Sequence, residues 1–178
     1  MAEMTTMTRA TEAITGERVR LRAVDPDDVD RLTDILHEDE IRRWWGLYDQ
    51  ERVRAEFLDQ GLGMYVIEAD AQPVGAIEWV EATDPDYRHA EIDLFVTSNK
   101  WNQGIGTEAV KLLCRHLFEG AGHHRIVAAP GTSNERAIAF FKDAGFREVG
   151  VLHQYERQPS GSWQDCLLLE LLRDDFRA

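Results

Sequence analysis

The segment AEIDLFVT, residues 90–97, carries two carboxylates whose spacing suits chemistry on an amine. We predict a strand here, on which Glu91 and Asp93 share one face while Ile92 points to the other. Two neighbouring carboxylates can hold a cationic amine and take its proton, directly or through water. A solvated strand face would show the same pattern, and the residues alone leave it open as the alternative.

A second candidate site is the segment WNQGIGTEAVKLL, residues 101–113, where Gly104 and Gly106 directly precede a helical pattern. A helix N-terminus offers unpaired N–H groups and partial positive charge, and glycine lets a phosphate approach without a Cβ in the way. The segment lacks the third glycine and the following acidic residue of a dinucleotide-binding turn, and the Gly-Lys-Ser/Thr of a P-loop. It therefore indicates either another kind of phosphate site or a purely structural turn.

The elements that must position these residues follow the order β α α β β β α β α β β. Alternation of strands and helices in the middle favours an α/β layer with some parallel pairing, and meanders at both ends favour a mixed sheet. Asp25 and Pro26 indicate the start of the first helix, and Ser133 or Asn134 can cap the last, which Gly145 can end. We predict strands at 18–24, 64–69, 74–82, 90–97, 125–129, 147–157 and 163–172, and helices at 26–36, about 51–58, about 104–119 and 133–145.

The composition limits the class of partner. The 178 residues are 43% hydrophobic and 30% charged, which is typical of a single globular domain. The net charge is −13, so the chain lacks the positive surface that nucleic acids require, whereas an acidic cleft would attract a cationic substrate. No stretch approaches the roughly 20 apolar residues of a membrane helix. We expect neither nucleic acid nor a membrane as partner, and a monomer and a homodimer both stay open.

The N-terminal segment and the cysteines bear on compartment. Residues 1–16 are polar and lack the apolar region of a secretory signal, which predicts a flexible leader before a single domain at 17–178. Cys114 and Cys166 form no CxxC pair and lie next to leucines, which indicates buried thiols in a reducing cytoplasm. The histidines have no metal-ligand spacing, so we expect no metal.

Taken together, WNQGIGTEAVKLL and the later SNERAIAFFKDAGF resemble two motifs of the GCN5-related N-acetyltransferase (GNAT) superfamily. The first is similar to its pyrophosphate-binding turn, x-x-G-x-G/A, and the second to its N-x-x-A-x-x-x-Y-x-x-x-G-F helix. The resemblance extends over about residues 18–172. It implies a central, mixed, mostly antiparallel and splayed β-sheet flanked by helices, and transfer of an acyl group from acetyl-CoA.

The resemblance also implies which residues hold acetyl-CoA. The turn amides would bind the pyrophosphate, strand amides at the splay would bind the pantetheine and polarise the thioester carbonyl, and Asn134 would donate to the coenzyme. Trp101 and Asn102 depart from the family's usual residues but leave a backbone cradle intact. The expected cofactor residues are Leu94, Phe95, Val96, Gln103, Gly104, Ile105, Gly106, Thr107, Asn134 and Phe141.

Phe141 is the sharpest departure. Many members of the superfamily have a tyrosine at this position, which is taken there as the acid that protonates the departing thiolate. A phenyl ring cannot donate a proton. The donor must then be another group or water, or the protein binds acyl-CoA without catalysing transfer.

Within the superfamily, WWG at 44–46, EIDLFV at 91–96 and SNERAIAFFKDAGF are most similar to aminoglycoside 6′-N-acetyltransferases, and in places to siderophore lysine acyltransferases. Asp93 matches the strand aspartate proposed there as general base. Trp44, Trp45 and Tyr48 would line the acceptor pocket, with one tryptophan in the core and the other at the cleft, although plain packing of both stays an alternative. Glu78 is a weaker candidate for the same pocket.

The sequence thus predicts an acetyl-CoA-dependent N-acetyltransferase that acts on a small polycationic amine, with an aminoglycoside favoured. The amine would attack directly in a ternary complex. The alternatives are acylation of a protein N-terminus, of a lysine or of a siderophore-type amine, and a catalytically silent acyl-CoA-binding protein.

Overall fold

The computed structural model describes residues 5–6, 12–59, 63–158 and 160–177, which build one sheet with helices on both faces. The helices are α1 Val29–Leu36, α2 Asp39–Trp45, α3 Gln50–Val53, α4 Ile105–Arg115 and α5 Glu135–Asp143. The strands are β1 Thr5–Thr6, β2 Ile14–Thr15, β3 Val19–Ala23, β4 Gly63–Ala69, β5 Gln72–Ala82, β6 His89–Val96, β7 Arg125–Ala128, β8 Arg147–Arg157 and β9 Trp163–Leu172.

The sheet is mostly antiparallel and splits near its middle. Its strand order is β2-β3-β4-β5-β6-β7-β9-β8, and β1 pairs with the end of β5. Among the described strands only β6 and β7 run parallel, and they pair over two positions, Ala90 with Ile126 and Glu91 with Val127. Beyond Glu91 the two strands separate. This confirms the predicted mixed, splayed sheet, and the split provides the space for a site.

Each face of the sheet has its own core. On one face, α4 and α5 cover the largest cluster, which includes Trp79 and Ile92. On the other face, α1 to α3 cover a smaller cluster that ends at Phe95 of β6. No helix in the described part of the chain combines the length and the apolar character that a membrane span needs. The helices instead fix the strands that carry the predicted site.

The helix predictions near the N-terminus need one correction. The predicted cap is present, because the Asp25 side chain accepts a hydrogen bond from the Asp27 N–H at 3.0 Å and Pro26 follows. The chain then forms three helices before β4 where the sequence predicted two, because α2 is a short separate helix that ends at Gly46, with φ +81°. Helix α3 continues as a wider turn over Arg54–Asp59.

The predicted flexible leader, residues 1–16, is only partly described. Residues 1–4 and 7–11 lie outside the described residues. Thr5–Thr6 pairs with β5, and Ile14–Thr15 pairs with β3 at Leu21 and Arg20. Among the described residues, the sheet therefore begins before residue 17.

Candidate active site

A cleft of about 1170 Å³ opens where β6 and β7 separate. Glu78, Glu91 and Asp93 line one end of it, and the turn at Gly104 and the first residues of α4 line the other. Asn134 and the start of α5 close the cleft opposite β6. The structure thus brings the predicted carboxylates and the predicted phosphate turn to a single cavity, because both flank the point where the sheet splits.

The acidic end of the cleft is built by the register of β5 and β6. Glu78 lies directly opposite Asp93, and Glu91 lies opposite Val80, one step further along the same face. The preceding pair on this face, Ala76 and Phe95, is buried under α1 to α3. The three carboxylates therefore lie just beyond the part of the sheet that α1 to α3 cover, so they face the cleft.

Two of these carboxylates hold their protons more tightly than ordinary ones. Burial, together with the charges of Glu56 and Glu91, raises the pKa of Glu78 to about 7. Burial and then the charge of Glu78 raise the pKa of Asp93 to about 8, against the opposing hydrogen bond from the Leu94 N–H at 2.7 Å. Solvent reaches Asp93 through the cleft mouth, although protein encloses its other sides. A carboxylate that titrates near neutrality is well placed to act as a general base.

These raised pKa values make the cluster cost stability at alkaline pH. An unfolded carboxyl group titrates near pH 4, whereas Glu78 and Asp93 in the folded chain stay protonated to about pH 7 and 8. The folded state therefore binds more protons between these limits, and stability falls as the pH rises through them. We expect the melting temperature of Asp93→Asn to rise relative to wild type from pH 5 to pH 9, as measured by thermal unfolding across that range.

Glu108 provides a control for this experiment, because its pKa is shifted in the opposite direction. Partial burial raises its pKa, but the N–H groups of Arg18 and Val19, at 2.9 and 3.1 Å from Oε1, outweigh this and lower it. Glu108→Gln should therefore lose stability relative to wild type at pH 7, and the difference should shrink as the pH falls below 4. A melting-temperature difference for Asp93→Asn that is constant with pH would contradict the raised pKa.

The strand amides at the split differ in direction. The Thr97 N–H donates to the Val74 carbonyl at 2.8 Å, so by antiparallel alternation the Phe95 N–H also points to β5. The N–H groups of Leu94 and Val96 point to the split side, and the Asp93 carboxylate accepts from that of Leu94. Of the three amides predicted to meet the pantetheine, Val96 therefore retains a donor directed at the cleft.

The glycine turn has the geometry of an anion site. Asn102 and Gly104 adopt left-handed conformations, with φ of +57° and +78°, and in the described chain no side chain caps α4. The first N–H groups of a helix have no partner within it, and those of Ile105 to Thr107 lie at the cleft. A Cβ on Gly106 would lie 3.1 Å from the Phe140 ring, so a larger residue here would require a small shift of that ring. These donors fit the diphosphate of acetyl-CoA.

Gln103 differs from the rest of the predicted cradle. Its side-chain amide donates to the Asn99 carbonyl at 2.8 Å, and its own carbonyl accepts from Arg18 at 2.8 Å. The cleft is lined by Gly104 to Thr107 on this side, and Gln103 lies behind them. Gln103 therefore links the turn to Asn99 and Arg18.

Helix α5 supplies two of the expected cofactor residues. Asn134 caps the helix, since its side-chain oxygen accepts from the Ala137 N–H at 3.1 Å, which leaves its NH₂ group to donate to a ligand. Phe141 is 3% exposed, and its ring lies 5.2 Å from those of Phe140 and Phe146. It contributes an apolar surface at the cleft wall.

The aromatic residues after α1 do not act as one group. The Trp45 ring packs edge-on against Phe95 at 4.9 Å, whereas Trp44 lies outside the core clusters of the described chain, with Arg43 5.1 Å from its ring. Both tryptophans line the cleft. Tyr48 lies behind this wall, 7% exposed, and its hydroxyl donates to Glu56 at 2.8 Å. The structure does not bring Tyr48 to the acceptor end of the cleft.

Sequence reasoning missed the part of the cleft that β8 and β9 supply. Tyr155, Glu156 and Gln164 line it, and the Gln164 side chain donates to Glu156 at 2.7 Å. The position of Tyr155 and Glu156 follows a bulge in β8, where the register with β9 shifts between Leu152 and Glu156. A bulge changes the face of the sheet on which the later residues of a strand lie, and the apolar pattern of the sequence does not reveal it.

Comparisons with known proteins place these features in a family context. The family model described as an acetyltransferase (GNAT) domain matches residues 18–147. Aminoglycoside N(6′)-acetyltransferase type 1 of Klebsiella pneumoniae is 26% identical over 157 residues, which are 77% of this chain and 78% of that protein. Spermidine N(1)-acetyltransferase of Escherichia coli is 23% identical over 172 residues, which are 90% and 89% of the two chains.

Solved structures share the fold. A GNAT-family acetyltransferase of Bacillus anthracis superposes with a TM-score of 0.81 at 18% identity and covers 92% of this chain and 99% of its own. Mycobacterium smegmatis RimJ in complex with CoA-disulfide has a TM-score of 0.77 at 26% identity, with 94% and 90% covered. The similarity therefore extends over nearly the whole length of both partners.

Proposed function

Since this chain belongs to the GNAT family, and is an acetyl-CoA-dependent N-acetyltransferase, we propose that its acceptor is an amine of a small polycationic molecule, with aminoglycoside antibiotics as the favoured class. The observation that carries the proposal is the pairing of Glu78 with Asp93 at the cleft floor, with Glu91 beside them. The named activities of two relatives, on an aminoglycoside and on spermidine, support the same chemical class.

The coenzyme end of the cleft would hold acetyl-CoA through the backbone. The N–H groups of Gly104 to Thr107 bind the diphosphate, and the Asn134 NH₂ group donates to the pantetheine arm. The Val96 N–H is directed at the same arm from the open edge of β6. When bound, acetyl-CoA supplies a thioester carbonyl that a neutral amine can attack.

The acidic end prepares the amine. The ionised form of Asp93, which the positive charge of a bound acceptor favours, binds the ammonium group and accepts its proton, and its raised pKa makes it a stronger base than an ordinary carboxylate. Glu78 and Glu91 hold the remaining positive charge of a polycation and keep the cleft negative. The Leu94 N–H, at 2.7 Å from Asp93 Oδ1, fixes the orientation of the base. Phe141 offers no acidic hydrogen, so the departing thiolate takes its proton from water or from another group of the cleft.

A panel of amines with acetyl-CoA tests the proposal. We expect mass spectrometry to detect one added acetyl group on aminoglycosides and polyamines, and weaker activity on monoamines of similar size. Acceptor affinity should fall from about 0.01 M to about 0.15 M salt, as the Debye length shrinks from about 30 Å to about 8 Å. Calorimetric titration of the acceptor at both salt concentrations measures this effect.

The other outcomes identify the alternatives. Acetylation of peptide N-termini or lysines with salt-independent affinity would favour a protein or siderophore-type acceptor. Binding of acetyl-CoA with no acetylated product from any amine would favour a catalytically silent protein. We place the reaction in the cytoplasm, where acetyl-CoA is available, and propose antibiotic resistance as its role if the aminoglycosides are the best substrates.

A further inference from the structure

One arginine lies at the coenzyme end of the cleft without a carboxylate partner. The Cζ atom of Arg136, in the first turn of α5, lies 4.1 Å from the centre of the Trp101 ring. Both residues line the cleft. Within the described ranges Arg136 forms no ion pair, in contrast to the neighbouring Lys100, which bonds to Asp70 at 2.9 Å.

Trp101 is itself fixed, and it fixes the arginine beside the glycine turn. Its indole N–H donates to the Val96 carbonyl at 2.7 Å, and Gly104 follows three residues later at the start of α4. Stacking on an aromatic face occupies the plane of a guanidinium but leaves its N–H edge open for hydrogen bonds. The edge of Arg136 is therefore available next to the uncapped N–H groups of Ile105 to Thr107.

A cation at the position of Arg136 would reduce the electrostatic repulsion between the acidic cleft and a phosphorylated ligand. The protein has a net charge of −13, and carboxylates line the other end of the same cavity. A phosphorylated ligand must enter against that field, and the partial charge of one helix N-terminus offsets only part of it. An unpaired guanidinium can bind a phosphate through two parallel N–H bonds, which a backbone amide cannot.

We propose that Arg136, held by stacking on Trp101, binds a phosphate group of acetyl-CoA and supplies a side-chain cation of the coenzyme site. The acyl donor thus meets a positive end of the cleft and the amine a negative end. The competing interpretation is that the pair only packs α5 against the turn. That interpretation predicts no dependence on the phosphates of the ligand.

Binding measurements separate the two interpretations without relying on turnover. We expect Arg136→Gln to weaken CoA binding by about 10- to 100-fold in calorimetry, which is the usual range for a lost hydrogen bond to a charged group. Pantetheine, which has no diphosphate and no 3′-phosphate, should bind wild type and variant equally. Arg136→Lys keeps the charge and loses the planar guanidinium, so its CoA affinity should lie between those of wild type and Arg136→Gln.

A matched control uses the other stacked arginine of the cleft. Arg43 lies 5.1 Å from the Trp44 ring at the acceptor end, so Arg43→Gln removes the same kind of contact and the same charge. It should leave the CoA affinity within twofold of wild type. Melting temperatures of both variants close to that of wild type would show that the fold is intact in both.

Dephospho-CoA identifies the phosphate. If Arg136→Gln weakens CoA but not dephospho-CoA, the arginine binds the 3′-phosphate; if it weakens both by the same factor, it binds the diphosphate. Either result supports the proposal. A CoA affinity of Arg136→Gln within twofold of wild type, or an equal loss for pantetheine, would overturn it.

Discussion

Replacement of Asp93 by asparagine is expected to lower kcat by about 10²- to 10⁴-fold, which is the usual contribution of a positioned general base. The amide keeps the size of the side chain but cannot accept the proton of the amine at neutral pH. Asp93 lies at the acidic end of the cleft, away from the glycine turn, so the dissociation constant of acetyl-CoA should not change. Steady-state kinetics with the best acceptor, and calorimetry with CoA, measure the two effects.

A variant at a second carboxylate distinguishes the loss of the general base from the loss of negative charge in the cleft. Glu40 also lines the cleft but lies on α2, outside the β5–β6 pair. Glu40→Gln should change kcat by less than about twofold, although KM for a polycation should rise as the field weakens. If Asp93→Asn behaved like Glu40→Gln, Asp93 would be a binding residue and water or Glu91 would take the proton.

The other large effect is expected at the glycine turn. In Gly106→Asp the new Cβ meets the Phe140 ring at 3.1 Å, and a negative charge enters the site proposed for the diphosphate. Several charge-assisted hydrogen bonds are weakened at about 1.5–3 kcal/mol each, so CoA affinity should fall by about 100-fold or more. An acidic residue in the first turn stabilises a helix, so α4 should stay folded. Calorimetry and circular dichroism measure the two outcomes.

Two glycine variants isolate the cause. Gly106→Ala adds the Cβ without the charge and should weaken CoA binding much less. Gly150→Asp adds the same charge on β8, where a Cβ meets nothing within 4 Å, and should leave CoA binding unchanged. Unchanged affinity in Gly106→Asp would remove the turn from the coenzyme site.

Local signals in the sequence determined the elements on both sides of the cleft. The start of α4 at Ile105, the cap at Asn134 and the end of α5 before Gly145 all follow from residues within one helical turn. Hydrogen bonds from a cap, left-handed glycine and short-range periodicity need no distant partner. The same local rules placed Glu91 and Asp93 on one face of β6.

The tertiary structure alone decided which carboxylates meet. Glu78 was the weaker candidate, yet the β5–β6 register sets it directly opposite Asp93, where its charge adds to the effect of burial in raising the pKa of Asp93. The sequence also could not exclude Tyr48 from the acceptor pocket. The same sequence pattern fits a tyrosine that lines the cleft and a buried tyrosine that bonds to Glu56, as Tyr48 does. Strand register and helix docking depend on packing between residues far apart in the chain.

The side of the cleft formed by β8 and α5 shows most clearly which features the sequence could not determine. Nothing near Glu156 in the sequence marks it as a cleft residue, and only the bulge in β8 turns it toward the split. Arg136 lies in an ordinary first helical turn, and its place over Trp101 depends on the packing of α5 against the start of α4. The sequence by itself thus determined the family's two motifs and the helices that begin at them, because these depend on neighbouring residues. The charge distribution of the cleft was decided by the fold, because charges separated along the chain interact only when the sheet and its split bring them together.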